Sequence, residues 1–411
     1  MTADITESQD ELADTGGSVW DIRLVVLTLG TFMVGTGNLV FIGVLGELAS
    51  DLSVTEGTAG VLVTVYAATV VVGSPILVSV TGSVTRKRLL LGSVLVYAIT
   101  NLTAAVLPTF RLLVLDRAVM GVGSALYTPV AVAVAADLAP AEKRGQAISL
   151  VMSGLTVAFV VGLPLGTAIG GYFGWRATFA FVGITGLLAF LGLQVFFPVI
   201  ETTSEAAGLR SVAALRRPAI AINVGLIVLE FASTFVAVSF VGPLLRSITG
   251  FGTRGVTIIQ FLLGIGGIVG TMLGGYGSDN WDTSNMLIGI AIGVILGLLP
   301  LWLVQPVSGS LLAIATAIFA SVVGAGSLFA LLPIQQSRLL QIAPDSRNVV
   351  LALTVSAVFL GLALGSTIGS AALTQVESYG NLGAVGAAFG GVGLLITVLM
   401  KSGNFASPST A

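Results

Sequence analysis

The chain of 411 residues contains no cysteine and no histidine. The first absence removes disulfides and thiol nucleophiles, the second removes imidazole bases, and together they remove the usual soft ligands of metal sites. Charge is scarce too, with 9% of residues Asp, Glu, Lys or Arg and a net charge of −2. The cations stand singly or in short clusters, so no basic field exists to hold a nucleic acid. No G-x-x-x-x-G-K-[ST] run occurs, and the glycine clusters lie inside apolar stretches instead of after a strand, which leaves no nucleotide-binding loop. No cofactor and no metal are expected. Proton chemistry falls to carboxylates, tuned by arginine or tyrosine.

What the chain has instead is apolar length. Hydrophobic residues make up 55% of it, more than a water-soluble core could hide. Runs of about 20 apolar residues, the length that crosses a bilayer, begin near residues 24, 57, 89, 112, 146, 178, 219, 255, 286, 309, 349 and 382. The polar stretch 201–217 divides these twelve spans into two sets of six. The pattern predicts an all-α polytopic membrane protein: a tail over 1–21, a six-helix bundle over 22–200, a linker over 201–217, a second bundle over 218–401 and a short tail over 402–411. The first twenty residues are polar and acidic (Asp4, Glu7, Asp10, Glu11, Asp14), unlike a cationic secretory leader, and read as a disordered cytoplasmic tail. With the N-terminus inside, twelve of the 17 Lys and Arg fall on the cytoplasmic side, four fall outside and Arg117 lies within a span. Cytoplasmic loops collect Lys and Arg, so a cell-membrane protein with both termini cytoplasmic is expected. Trp20, Trp175, Trp281 and Trp302 fall at span ends, where an indole suits the headgroup layer.

The stretch Ser153 to Arg176 is apolar, with Gly154, Ala158, Gly162, Gly166 and Gly170 recurring every four residues around Pro164. One side of such a helix carries almost no side chains, so a neighbouring backbone can approach closely. Pro164 removes one helical N–H and crowds the preceding turn, which a membrane tolerates where neighbouring helices or a cavity take up the freed carbonyl. The seam is expected to bend. Ala357, Gly361, Gly365 and Gly369 repeat the pattern, and Gly162 and Gly361 are 199 residues apart. The same offset lays Phe41-Ile42-Gly43-Val44-Leu45 over Phe240-Val241-Gly242-Pro243-Leu244. Two anchors at one offset point to a duplicated half, the usual construction of secondary transporters.

These residues carry a family resemblance. Arg86-Lys87-Arg88 between spans two and three, DRAVMGVGSALYTP in span four, GLPLGTAIGGYFGWRATF from span five onward and the opening LGTFMVGTGNLVFIGVLGELASDLSV resemble the major facilitator superfamily. More narrowly, they are similar to its bacterial drug/proton antiporter branch, which includes sugar-, chloramphenicol- and purine-efflux proteins. The resemblance covers about residues 22 to 400 and implies two pseudo-symmetric six-helix bundles.

Ionisable side chains inside a span are costly and mark function by default. Glu230 is the one acidic residue clearly in mid-membrane, where burial disfavours the charged form. Such a carboxylate can load and unload a proton as the cavity opens to alternate sides; the blander reading is a carboxylate that only sets polarity or contacts substrate. By resemblance Arg117 occupies the family's span-four motif position, implicated in proton transfer; alternatively it snorkels to the interface and pairs with the adjacent loop. Successive helical residues point about 100° apart, so Asp116 does not face Arg117. It reads as an interfacial anchor or as a second titrating carboxylate. Two positions depart from the branch. Gly35-Thr36-Gly37 is followed by Asn38, where an acidic residue is common, and Asn38 can hydrogen-bond but cannot titrate. In the loop after span two the family's Asp is replaced by Gly82, while Asp279 in GGYGSDN is retained, so a lock between the halves is expected to be lopsided. Arg86, Lys87 and Arg88 read as part of that lock or as positive-inside anchors. The resemblance ties the Gly162, Pro164, Gly166, Gly170 seam to antiport rather than uptake, beside its close-packing role.

By analogy with the fold, the substrate cavity lies at the interface of the halves, with Asn38, Phe41, Tyr66, Tyr127, Glu230 and Phe235 at suitable depth. One acid, one amide and several aromatics suit a neutral or cationic amphipathic solute. The expected protein is a monomer in the lipid bilayer that exports a small organic solute by alternating access in exchange for protons. The alternative within transporters is an uncoupled facilitator or importer of a sugar or nucleoside, favoured by Asn38. A membrane-embedded enzyme would need a nucleophile and base or a metal cluster that the chain does not supply, and a nutrient sensor would need a larger soluble segment.

Overall fold

The computed structural model describes residues 21–81, 84–140, 143–197, 217–343, 347–375 and 378–402. The tail 1–20, most of the stretch 201–217, Gly82 and residues 403–411 lie outside the described residues. Among the described residues fifteen α-helices follow one another: α1 (Ile22–Gly43), α2 (Leu45–Asp51), α3 (Glu56–Val80), α4 (Arg86–Ala104), α5 (Phe110–Leu138), α6 (Arg144–Val157), α7 (Leu163–Phe173), α8 (Trp175–Phe196), α9 (Pro218–Val238), α10 (Val241–Thr249), α11 (Thr253–Asn280), α12 (Thr283–Leu303), α13 (Leu311–Ile342), α14 (Arg347–Gln375) and α15 (Asn381–Lys401). Eleven stretches among the described residues are long and apolar enough to cross a membrane, counting α6 and α7 as one. The twelfth, α4, opens with Arg86-Lys87-Arg88, which lowers its apolar share. Every span begins within about one turn of the position that the apolar runs predict.

The span ends follow from local chemistry. Thr55, Thr109, Asp282 and Ser310 cap α3, α5, α12 and α13, each accepting from a backbone N–H of the first turn, which satisfies donors that a helix start leaves free. Gly174, at φ 86°, lets the chain reverse from α7 into α8 through one residue, a conformation few other residues adopt. We call the end of the bundle where α1 starts and α15 finishes the near end, and the opposite end the far end.

Each half is held by small-residue seams. A Cβ at Gly154, Gly162, Gly166 or Gly170 would strike Thr31, Thr36 and Val40 of α1 and Val44 at its C-terminal end in turn, and Gly35 meets Ala158. The run of α6 and α7 therefore lies against α1 over four turns. In the second half Gly361, Gly365 and Gly369 of α14 meet Phe231, Ala232 and Val236 of α9. Spans one and five thus pair as spans seven and eleven do, the arrangement that a 199-residue duplication requires. A third seam joins α11 to α13, where Gly266, Gly270 and Gly274 meet the backbones of Val322, Gly326 and Ala330.

The expected bend at Pro164 takes the form of a π-helical turn, Ala158–Gly162, between α6 and α7. Leu163 donates to the carbonyl of Ala158, five residues back instead of four. The wider turn accommodates a proline that lacks an N–H. Across the halves, α3 packs on α14 and α7 on α11. At the far end Gly242 of α10 lies against the carbonyl of Gly43, where an added Cβ would sit 2.8 Å from the oxygen. Residues equivalent in the two repeats meet there.

Replacing Gly166 or Gly365 with alanine should lower thermal stability in detergent by about 1–3 kcal/mol, the usual effect of overpacking, because the new Cβ would lie 2.5 Å from Val40 Cγ1 or from the Ala232 carbonyl. Gly391→Ala, with nothing within 4 Å, should be neutral or gain up to about 1 kcal/mol of helix propensity. Equal melting curves for all three would contradict the seam.

Candidate functional site

Span four delivers Arg117 into the interior of the first half. It lies seven residues into α5, roughly 10 Å along the helix, and is 1% exposed. Its guanidinium carbon stands 4.8 Å from the ring centre of Phe41 on α1 and 5.0 Å from that of Phe179 on α8. Nη1 donates to the carbonyl of Gly37 at 3.1 Å, while Nε and Nη2 have no hydrogen-bond partner. No carboxylate lies within ion-pair distance among the described residues. The arginine does not snorkel to the interface. It is drawn inward by two aromatic faces, each worth about 0.5–2 kcal/mol, and by a backbone carbonyl that the glycine at position 37 leaves accessible. Asp116 points elsewhere: Thr103 Oγ1 donates to its Oδ1 at 2.6 Å, and its Oδ2 is buried without a partner.

Two tyrosines, Tyr66 and Tyr97, lie near this centre, and a third, Tyr127, lies ten residues further along α5, roughly 15 Å away. Tyr66 of α3 donates to Ser124 Oγ at 2.7 Å, and its ring stands 6.4 Å from that of Phe359 in the other half. Tyr97 of α4 donates to the carbonyl of Val34 at 2.9 Å, and its phenol occupies the space a Cβ on Gly37 would need. Tyr127 donates to the carbonyl of Leu27 at 2.9 Å and fills the gap beside Gly30. All three are fully buried.

Glu230, on α9, is 2% exposed. One turn further on, Ser233 donates to the carbonyl of Gly386 on α15, and Glu230 Oε1 occupies the space beside Gly393 of the same helix. The carboxyl therefore faces the α9–α15 seam inside the second half, and its Oε2 has no partner. Phe235 is buried on another face of α9, stacked on Phe231 with ring centres 6.3 Å apart. It lines an apolar cavity of about 50 Å³ together with Phe159, Thr234, Leu244, Ser321 and Phe329, too small for an organic solute.

Of the six residues expected at one substrate cavity, only Phe235 borders either of the two cavities described among these residues. Phe41 is under Arg117, Tyr127 is in the α1–α5 seam, Glu230 is in the α9–α15 seam, and Phe235 borders the small cavity. Tyr66 reaches the interface through Phe359, and Asn38 is partly exposed. The surface between the halves also carries the edge-to-face pair Phe159 and Phe329, ring centres 4.6 Å apart, and the hydroxyls of Thr64 and Thr367, 3.1 Å apart. Sequence reasoning missed Tyr97, Phe159, Phe329 and Phe359, which look like ordinary apolar-run residues. It also missed Gln260 and Gln335, both fully buried with neither amide atom partnered. A signal existed for these two, since an unpaired amide in mid-span is costly, but attention to ionisable groups passed over it.

At the near end Arg86 pairs with Asp137, and Lys87 donates to the carbonyl of Phe197, so both are bound within the first half. Arg88 is exposed, and the side chain of Asp279 lies outside the described residues. A second groove, about 900 Å³, runs between α11, α12 and α13, lined by Leu273, Trp281, Asn285 and Ser327. It belongs to one half alone.

Residues 27–366 match the family model of the Major Facilitator Superfamily. The uncharacterized MFS-type transporter YfhI of Bacillus subtilis (strain 168) is 30% identical over 376 residues, covering 91% of this chain and 92% of the relative. A bacterial homolog of the human lysosomal transporter Spinster, in an inward-facing and occupied conformation, superposes with a TM-score of 0.74 at 18% identity, covering 94% of this chain and 98% of that one. The nucleoside transporter NupG does so with a TM-score of 0.76 at 12% identity over 94% and 100% of the two chains. At these identities the structural likeness shows the fold.

Because Arg117 is a buried charge without a counter-ion, Arg117→Met should retain or raise the melting temperature, as apolar replacement of buried charge commonly does. Arg117→Lys keeps the charge and loses the planar stacking, and should cost about 1–2 kcal/mol. A methionine variant less stable than the lysine variant would show that the guanidinium is held by more than these contacts.

Proposed function

The chain belongs to the Major Facilitator Superfamily, and from that membership we propose that this secondary transporter exports a small organic solute in exchange for protons. The family fixes the class: a multi-pass membrane transporter of small substrates, not an enzyme. Direction, substrate and coupling are our reading of the residues. Binding energy alone only shifts populations, so directed transport must draw on a gradient through a site whose proton and solute affinities are linked.

The observation that carries proton coupling is Glu230: a carboxyl 2% exposed, with one oxygen buried and unpartnered. In such a place the neutral form is the stable one, and a change in the α9–α15 seam that admits water would release the proton. Arg117 takes the role of the fixed cation whose field the solute or proton meets, and Asp116 that of the outer carboxylate. Asn38, Tyr66 and Phe235, joined by Phe159, Phe329 and Phe359, supply the amide and aromatic surface for the solute once the halves part; Phe41 and Tyr127 support it from behind. Export is supported by the seam of Gly162, Pro164, Gly166 and Gly170, which resembles the antiporter motif and here closes against α1 through a π-turn. Placing the near end in the cytoplasm, as the cation distribution favours, makes this the conformation shut to the outside. Arg86, Lys87 and Arg88, with Asp279, then act at the cytoplasmic mouth.

Asn38 supports a second reading, an uncoupled facilitator or importer, and one experiment separates them. Purified protein in weakly buffered detergent is presented with purine nucleosides, sugars, a chloramphenicol-like drug or a lipophilic cation, and protons released to solution are counted. One class should release close to one proton per binding event, and Glu230→Gln should bind that class without release. Binding with no release in the wild type would favour the facilitator, and release surviving in Glu230→Gln would remove Glu230 from the coupling role.

A further inference from the structure

The groove between α11, α12 and α13 takes no part in the interface of the halves, and its shape follows from where glycines fall. Both α11 and α12 pack on α13 and scarcely on each other. Gly266 and Gly270 bring the α11 backbone onto that of α13, and Gly297 brings α12 onto it at Gly324. Toward the near end α12 stands away from α11, and Gly289 lines the gap with nothing within 4 Å of where a Cβ would be. The result is an open groove of about 900 Å³ with α13 as its floor. Its lining runs from Asp282 to Ile290 on α12 and from Val322 to Ala330 on α13, eight residues or roughly 12 Å of helix in each case. Half of a bilayer's apolar core is about 15 Å. The groove thus spans one leaflet, from the near-end surface to the middle of the membrane.

Polarity is graded along that length. The deep part is lined by Ile265, Val269, Ile290 and Val323, with Ser327 supplying a hydroxyl. The mouth carries Asn280, Trp281, Asp282 and Asn285. Trp281 is 55% exposed and stands edge-on to Tyr276, ring centres 5.8 Å apart, which fixes its indole at the depth where tryptophan meets headgroups. Asp282 Oδ1 accepts from the Asn285 N–H at 2.8 Å and so caps α12. From the other side Lys401, the last residue of α15, donates to Asn285 Oδ1, and an ammonium has further N–H groups to offer. A carboxylate and an ammonium therefore flank Asn285 at the mouth of an otherwise apolar channel.

We propose that this groove is a binding site for one zwitterionic phospholipid of the near-end leaflet, with an acyl chain against Gly289 and α13, the phosphate on Lys401 and the cationic end of the headgroup between Asp282 and Trp281. An acyl chain gains no hydrophobic free energy by leaving other lipid, because the tails are as apolar as the groove. What holds it is contact on several sides at once, since dispersion grows with the number of atoms met, and the charged end. Lys401 gives the phosphate a charge-assisted hydrogen bond, while Asp282 and the indole face both attract a headgroup cation. A headgroup with phosphate alone would leave the Asp282 charge unbalanced. The bound lipid fills the gap that α11 and α12 leave between them. It braces α11 from behind, because the side of α11 turned away from the groove carries Gly264 against Val160 of the first half. The inference needs only that the chain spans a bilayer, and it stands whichever way solute moves and whether or not protons are coupled.

The test is a lipid titration of the full chain, stripped of lipid in detergent and followed by native mass spectrometry. Dioleoyl phosphatidylcholine and dioleoyl phosphatidylglycerol are added separately. The wild type should take up one phosphatidylcholine well before the graded series of adducts that general surface binding produces, and should hold phosphatidylglycerol about tenfold less tightly, the usual worth of one charge-assisted contact. Gly289→Phe fills the place of the acyl chain and should lose the first adduct, whereas Gly391→Phe, at an equally open position on α15, should keep it. Asp282→Asn preserves the cap and should abolish the preference between the two lipids. Lys401→Gln should weaken both by about tenfold, and these two variants decide the matter if Gly289→Phe does not fold. A wild type with only the graded series would overturn the proposal, as would a first adduct kept by Gly289→Phe or phosphatidylglycerol held as tightly as phosphatidylcholine. A dimer of the chain that Gly289→Phe dissolves would overturn it too, making the groove an interface between copies.

Discussion

Inside a bilayer the lipid tails are as apolar as the side chains, so no hydrophobic effect presses one helix on another, and association rests on close contact. The structure depends on that constraint. Glycine and alanine strip the side chains from one face of α6 and α7, of α14 and of α11, and the neighbouring backbones fill the space. Each seam is a run of contacts that a single methyl group would disturb. Two of them are related by the duplication, so the halves share one construction, and the residues that face each other at the far end, Gly43 with Gly242 and Glu47 with Arg246, are equivalents of one another.

Close-packed seams make each half resist internal deformation, so motion is confined to the interface and to built-in weak points. The π-helical turn ahead of Pro164 is one such point. It carries Phe159, which meets Phe329 across the interface, so a change in the turn is felt directly by the other half. Buried ionisable groups are few and set apart: Arg117 clamped by aromatic rings in one half and Glu230 against α15 in the other. The state of each depends on its surroundings staying dry, which is the property that a machine alternating between two sets of exposed surfaces can use.

Much of this was legible in the chain. Span positions followed from apolar length, and the seam from the four-residue recurrence around Pro164. The offset of 199 residues anticipated which helices would pair as equivalents, though a bare glycine face states only that a backbone approaches and does not say whose. The depth of Glu230 was readable, but its direction was not. Asn223, Glu230 and Thr234 fall on one side of α9, but a polar stripe states only that the side avoids lipid and not which helix it meets, and the orientation is set by Gly386 and Gly393 of α15, far along the chain. The same holds for Tyr127, whose place in the α1–α5 seam is set by the gap at Gly30. Arg117 was flagged, yet whether it would snorkel or turn inward depended on Phe41 and Phe179, which meet it only in the fold.

The central claim is that solute crosses only when the two halves exchange which end is closed. Thr64 and Thr367 face each other across the interface with their hydroxyls 3.1 Å apart, and the chain has no cysteine of its own. A Thr64→Cys, Thr367→Cys variant, oxidised to the disulfide in proteoliposomes, should stop transport of a solute that the wild type moves, and reduction should restore it. Undiminished transport with the disulfide formed would contradict the account.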